Sequence, residues 1–168
     1  VSSSDTTEGT VSPSSLTFTS SNWNANQTVT VTGVDDSVVD GNQSYTVVLA
    51  AANSSDSGYS GLNPNDVSVI NTDDETTGFT VSSISGNTTE AGGTATFTVK
   101  LSSQPTANVT IGVSSSDTTE GTVSPSSLTF TSSNWNANQT VTVTGVDDSV
   151  ADGNQSYTVV LAAANSSD

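Results

Sequence analysis

The sequence predicts an all-β protein made of immunoglobulin-like antiparallel β-sandwiches, with about seven strands in each repeat of the chain. Three observations predict this fold class. Thr alternates with Val, Leu or Phe at a period of two residues, which is typical of half-buried strands. Gly, Pro, Asn and Asp interrupt these runs at intervals of roughly ten residues. One domain-sized segment also occurs in tandem.

The alternation locates the individual strands. In residues 94–101, for example, the apolar side chains Ala95, Phe97, Val99 and Leu101 fall on one face. No segment combines a helical period with a capping residue. The predicted strands are Phe79–Val81, Thr94–Leu101, Val109–Val113, Ser127–Thr131, Thr140–Val146 and Tyr157–Ala163, preceded by the copies Ser15–Thr19, Thr28–Val34 and Tyr45–Ala51 and by Val67–Ile70.

The repeat is close to perfect. Residues 1–56 recur as residues 113–168 with 55 of 56 positions identical, the exception being Val39 against Ala151. The period of 112 residues is longer than a solenoid unit of roughly 20–50 residues, so the repeating element is a whole domain. Near-identical tandem domains are typical of stalks, adhesins and filaments, and we expect no enzymatic activity.

The ends of the chain do not coincide with the predicted domain boundary, which lies in the polar stretch Asn71–Gly78. Residues 1–75 are then the C-terminal part of one sandwich, and residues 76–168 are the next sandwich without its last strand. The opening strands that the first part lacks correspond to Phe79–Ile111. We therefore expect the sequence to be a window from a longer array of repeats.

The composition excludes several classes of function. The chain carries 17 Asp and Glu residues against a single cationic side chain, Lys100, for a formal net charge of −16. Nothing can therefore neutralise a run of phosphates, which excludes nucleic acid and anionic membrane surfaces as partners. The absence of His and Cys excludes His-dependent catalytic triads, thiol nucleophiles and zinc fingers. No apolar run is long enough for membrane insertion. Hard cations with oxygen ligands remain as a cofactor class.

The carboxylates form clusters that directly follow strands. If the loops at one pole of a sandwich converge, each pair of like charges at about 6 Å costs roughly 3 kcal/mol at an effective dielectric of about 20. Five such groups would exceed the roughly 5–15 kcal/mol of a domain's stability, so either the loops splay apart or cations bind. Ca²⁺ suits flexible loops with many oxygen ligands better than Mg²⁺ does. The candidate metal ligands are Asp35, Asp36 and Asp40, their copies Asp147, Asp148 and Asp152, and the triplet Asp73, Asp74 and Glu75.

These residues resemble a known family. The segment Gly33–Leu49, in which an Asp pair ends a strand and a further Asp precedes an aromatic strand, resembles the signature of the Calx-beta domain. Residues 90–99 are similar to the first strand of that family, and residues 73–75 are similar to its terminal acidic triplet. The resemblance implies an immunoglobulin-like sandwich that binds several Ca²⁺ ions at one pole. It adds three glutamates to the implied metal ligands: Glu8, Glu90 and Glu120.

One departure from the family pattern concerns Gln43 and its copy Gln155, which stand where the family often has Glu. Fewer negative charges predict fewer or weaker ions at this pole. Similar repeats occur in large secreted bacterial adhesins and biofilm proteins. The resemblance therefore implies an extracellular or cell-surface location and a role in cell adhesion.

Three functions fit these observations. The leading interpretation is a calcium-binding spacer or stalk in a long extracellular adhesin or matrix fibre, with adjacent repeats of the same chain as partners. A second is a filament subunit whose half-domains are completed by strands from neighbouring copies in a fibre. A third is a carbohydrate-binding module that uses Trp23 and Trp135 to stack on surface glycans. A Trp in this setting also commonly plugs one end of a sandwich.

Overall fold

A computed structural model describes all residues from Val1 to Asp168 and is all-β. It contains twelve strands and no helix that could cross a membrane. The strands are β1 (Ser2–Ser3), β2 (Gly9–Ser12), β3 (Thr30–Gly33), β4 (Gln43–Val48), β5 (Val67–Asn71), β6 (Phe79–Val81), β7 (Thr94–Leu101), β8 (Val109–Ser115), β9 (Gly121–Ser124), β10 (Ser127–Phe130), β11 (Gln139–Gly145) and β12 (Val159–Leu161).

The chain divides into two compact units. Unit 1 comprises Val1–Asp36 and Asp40–Asp74, and unit 2 comprises Ser37–Val39 and Glu75–Asp168. The main division therefore falls between Asp74 and Glu75, within the acidic triplet that follows β5.

Unit 2 is a sandwich of two antiparallel sheets, as the sequence predicts. One sheet has the strand order β6-β7-β11-β9 and the other has the order β10-β8-β12. In β7 the predicted alternation holds along its whole length, because Ala95, Phe97, Val99 and Leu101 are buried and the residues between them are not. Unit 2 has seven strands, one more than the six predicted within residues 76–168, because the short strand β9 was not predicted.

The core of unit 2 lies between its two sheets. Phe130, Leu128, Val99 and Val141 are among its most completely buried side chains. Burying one such side chain stabilises a fold by about 1.5–3 kcal/mol, so this layer supplies most of the favourable free energy of the unit. Trp135 packs against the core, and its carbonyl oxygen accepts a hydrogen bond of 2.9 Å from the Leu101 N–H.

Unit 1 contains the sheets β1-β4-β5 and β2-β3. Its buried apolar side chains are Tyr45 and Val47, which alternate along β4. The aromatic ring of Tyr45 lies against Gly9, where a Cβ atom would come within 2.1 Å of the Tyr45 hydroxyl oxygen. The glycine therefore lets β4 pack directly over the start of β2.

The predicted strand at residues 15–19 does not form, although the identical sequence at residues 127–130 is β10. In unit 2, β10 pairs with β8, so that Leu128 lies opposite Ile111 and Phe130 lies opposite Val109. Unit 1 has no counterpart of β7 or of Val109–Gly112 beside this segment. A short strand is stable only when its backbone groups have a partner, and this explains the difference.

Two alanine substitutions at equivalent positions test this account. Phe130 is 0% exposed and Phe18, its copy, is 55% exposed. We expect Phe130→Ala to lower the free energy of unfolding by about 3–5 kcal/mol because it opens a cavity. Phe18→Ala should change it by less than about 1 kcal/mol. Urea unfolding followed by circular dichroism measures both, and equal losses would contradict the assignment of the core to unit 2.

Candidate metal centre

Strand register places Glu8 beside the first acidic cluster. In the β2–β3 ladder Gly9 lies opposite Gly33, so Glu8 falls level with Val34, and the Val34 N–H donates to the Glu8 carbonyl oxygen at 3.0 Å. Asp35 and Asp36 follow at once. Unit 2 repeats the arrangement, because Gly121 lies opposite Gly145 and the Val146 N–H donates to the Glu120 carbonyl oxygen at 3.0 Å.

A compact turn orients each glutamate. The Asp5 carboxylate accepts hydrogen bonds from the Thr7 N–H at 2.9 Å and from the Thr7 hydroxyl at 2.6 Å. Asp117 accepts the same pair from Thr119 at 3.0 and 2.6 Å. These hydrogen bonds hold the pKa of both aspartates below the usual value, and the bond from the threonine hydroxyl has the largest effect. Both carboxylates stabilise the turn that presents the following glutamate.

The loop between β3 and β4 is tied to the end of β5. Gly41 adopts a φ of +76°, which favours glycine, and its N–H donates to the Asp73 carboxylate at 2.7 Å. The Asp73 N–H in turn donates to the side-chain oxygen of Asn42 at 3.1 Å. This double link brings the β3–β4 loop and the chain that leaves β5 to the same end of unit 1.

The result is three groups of carboxylates, in each of which one oxygen per residue lies within 4.8 Å of the others. Oxygens bound to one Ca²⁺ at 2.3–2.6 Å can be at most about 5 Å apart, so these spacings fit a shared ion. The donors are all oxygens on loops, which suits Ca²⁺. The groups are Glu8 with Asp36 and Asp40, Asp35 with Asp74 and Glu75, and Glu120 with Asp148 and Asp152.

Three of the predicted ligands lie outside these groups. The Asp73 carboxylate accepts the Gly41 N–H, and it therefore holds the loop. Glu90 is close enough to Glu120 to influence its pKa without joining that group. Asp147 is exposed and belongs to none of the groups, although its copy Asp35 belongs to one.

Asn71 is a site residue that the sequence reasoning missed. Its side-chain amide donates to the Val34 carbonyl oxygen at 2.7 Å and to the Glu8 carboxylate at 3.3 Å. It therefore braces Glu8 against the end of β3. The only signal in the sequence is its position two residues before the acidic triplet at the end of a strand.

Gln43 and its copy Gln155 also have a structural role. The Gln43 side-chain amide donates to the Asp40 carbonyl oxygen at 2.8 Å, and Gln155 makes the same bond to Asp152 at 3.0 Å. A glutamate cannot donate this hydrogen bond. Gln43 and Gln155 thus fix the backbone of the acidic loop.

In the group of Glu120, Asp148 and Asp152, like charges are crowded together. Partial burial raises the pKa of Glu120, and the neighbouring carboxylates Asp152, Asp117, Asp148 and Glu90 raise it further. The side chain is half-buried, so its negative charge is disfavoured both by lost hydration and by repulsion. A bound cation would remove that repulsion.

The comparisons with known proteins point to one family. Residues 9–76 and residues 71–168 each match the family model of the Calx-beta domain. No curated protein and no solved structure gives a significant match.

Two substitutions that should shift the midpoint of thermal unfolding in opposite directions test the electrostatics in the presence of a chelator. Because folding raises the pKa of Glu120, the charged glutamate destabilises the fold above that pKa, and the penalty disappears as pH falls through it. Glu120→Gln should therefore raise the midpoint of thermal unfolding at about pH 7 and flatten its rise on acidification. Asp117, whose pKa is lowered, stabilises the fold above its unfolded pKa, so Asp117→Asn should lower the midpoint at about pH 7. Shifts of the same sign in both variants would contradict this picture.

Proposed function

The chain belongs to the Calx-beta domain family of calcium-binding β-sandwich modules, and on that premise we propose that it is a calcium-binding structural repeat without catalytic activity. It would act as a spacer or stalk in a long extracellular adhesin or matrix fibre, with adjacent repeats as its partners. The observation that carries the proposal is the recurrence of one carboxylate triad, from the same three loop positions, in both units.

The residues of each triad fit a Ca²⁺ ion. Glu8 comes from the loop between β1 and β2, and Asp36 and Asp40 come from the loop between β3 and β4. An ion would supply positive charge that joins these two loops. Mg²⁺ demands a near-ideal octahedron and retains its water, whereas Ca²⁺ accepts more oxygen ligands in a less regular geometry, so these carboxylate groups suit the larger ion. Exposed sites of this type suit the affinities of extracellular modules, about 10⁻⁴–10⁻³ M.

The group of Asp35, Asp74 and Glu75 supports a mechanical role. Asp35 approaches Asp74 and Glu75, which lead out of β5 towards the next strand of the chain at Phe79. An ion held by these residues would fix the exit of the chain from unit 1, leaving only Thr76–Gly78 as a free tether. In an array of such repeats, Ca²⁺ would therefore limit bending at each junction.

The carbohydrate-binding alternative requires that Trp23 and Trp135 be exposed so that they can stack on sugars. Trp23 is 70% exposed, but its copy Trp135, in an identical local sequence, packs against the core of unit 2. The exposure of Trp23 is thus accounted for by the missing strands beside it. It does not by itself indicate a platform for sugars.

Small-angle scattering tests the proposed function on a polypeptide of three complete 112-residue repeats. We expect a longer maximum dimension in Ca²⁺ than in chelator or Mg²⁺, because the ions fix the acidic exit segments. Replacing Asp74 and Glu75 by Asn and Gln in each repeat should remove the response to Ca²⁺.

The matched control replaces Asp56 and Asp66 by Asn in each repeat, which removes the same charge outside the three carboxylate groups. It should retain the response. Equal dimensions of the parent polypeptide in Ca²⁺ and in chelator would contradict a calcium-stiffened spacer.

A further inference from the structure

Two glycines of the chain directly follow an aspartate. Of the 13 glycines, only Gly41 and its copy Gly153 have this position, after Asp40 and Asp152 respectively. The first pair lies in the loop between β3 and β4, and the second lies in the loop between β11 and β12. In such a pair the side-chain carboxyl group of the aspartate is close along the chain to the main-chain nitrogen of the glycine, so that a ring can close between them.

The main-chain nitrogen of each glycine is accessible to this ring closure. Gly41 and Gly153 adopt φ values of +76° and +78°, a region that glycine enters without a steric penalty. Apart from the chain neighbours, no heavy atom lies within 4 Å of the position that a Cβ atom would take at either glycine. Asp40 and Asp152 are both exposed. Packing around the glycine therefore does not hold the reacting atoms apart.

We propose that Asp40 and Asp152 are sites of spontaneous covalent modification, at which the aspartyl–glycyl linkage rearranges to isoaspartate. The glycine nitrogen forms a bond to the aspartate Cγ, and the bond from Cγ to one carboxyl oxygen breaks. That oxygen leaves as water with the proton of the carboxyl group and the proton of the nitrogen, and a succinimide ring remains. Water then opens the ring. Attack at the former side-chain carbonyl restores aspartate, and attack at the main-chain carbonyl gives isoaspartate.

The rearrangement changes both the path of the main chain and the position of the negative charge. In isoaspartate the main chain runs through Cβ and Cγ, so the loop gains one carbon atom and the free carboxylate stands on Cα. At Asp40 this carboxylate replaces the main-chain carbonyl group that accepts the Gln43 amide at 2.8 Å. The group of Glu8, Asp36 and Asp40 would therefore lose the charge that Asp40 contributes. The reaction requires no metal ion, so it is separate from the proposed role of these loops in calcium binding.

A hydrogen bond to Asp73 opposes the reaction at Asp40. The Asp73 carboxylate accepts the Gly41 N–H at 2.7 Å, and the Asp73 N–H donates to the side-chain oxygen of Asn42 at 3.1 Å. Ring closure turns the Gly41 nitrogen towards Cγ of Asp40 and removes its proton, so this hydrogen bond must break first. Hydrogen bonds to an ionised group are roughly twice as strong as neutral ones. Asp73 therefore slows the formation of the succinimide at Asp40.

The test follows isoaspartate in the 168-residue chain during incubation at constant temperature with a chelator. Peptide mapping with fragmentation mass spectrometry locates each isoaspartate. We expect it to accumulate at Asp40 and Asp152. The chain also offers internal controls in which Ser follows the aspartate, because the serine side chain restricts the approach of the nitrogen, and these sites should react much more slowly. They are Asp36, Asp56 and Asp148.

Asp73→Ala tests the protective hydrogen bond. It should accelerate the reaction at Asp40 roughly fivefold, the factor that corresponds to the net contribution of one hydrogen bond. The rate at Asp152 in the same molecule should not change. Asp73→Asn keeps an acceptor oxygen without the charge, so it should give a smaller acceleration. As a matched control, Asp66→Ala removes the same charge from unit 1 without removing a hydrogen bond to Gly41, and it should leave the rate at Asp40 unchanged.

Circular dichroism establishes that each variant is folded, and Asp73→Asn replaces Asp73→Ala as the deciding variant if the alanine variant is not. Isoaspartate at Asp40 and Asp152 no more abundant than at the Asp–Ser pairs would overturn the proposed modification. An unchanged or slower rate at Asp40 in the folded Asp73 variant would overturn the protective role. A slower rate would mean that Asp73 accepts the proton of Gly41 as a base.

Discussion

Strand register is the constraint that places the carboxylate groups of this protein. The pairing of Gly9 with Gly33 fixes Glu8 beside the residues that follow β3, and the pairing of Gln43 with Asn71 brings the end of β5 to the same place. The backbone ladder thus forces carboxylates together in a chain whose only Lys or Arg is Lys100. Hydrogen bonds within the loops fix their backbone, and none of them neutralises the charge. A divalent cation is the species that would do so.

The same dependence on pairing explains why equal sequences differ in structure. Residues 127–130 are a strand because β8 lies beside them, and residues 15–18 have the same propensities without that neighbour. β-propensity describes how well a side chain fits a pleated and half-buried surface, and so it takes effect only where such a surface exists. Phe18 and Phe130 show the consequence for the core, since one is exposed and the other is buried.

Much of the fold was predictable from the sequence because period-two alternation reports one buried face. β7 begins and ends where Thr94–Leu101 predicts, and β6 also has its predicted bounds. The short strands β2 and β9 were missed because Gly-Thr-Val-Ser contains one large apolar residue and no alternation. The acidic clusters were predictable from their positions after strands. The roles of Asn71 and Gln43 were not, because they depend on which carbonyl oxygen each amide meets.

Direct measurement of calcium binding tests the central claim that these carboxylate groups are cation sites. In titration calorimetry at about 0.15 M salt, we expect the 168-residue chain to bind Ca²⁺ with dissociation constants of about 10⁻⁴–10⁻³ M and to bind Mg²⁺ more weakly. Replacing Asp36 and Asp148 by Asn should remove the binding of the two equivalent triads. Replacing Asp56 and Asp168, which are also copies of each other and lie outside the groups, should leave it unchanged. No heat of binding up to about 10 mM Ca²⁺, or equal losses in the two variants, would contradict the account.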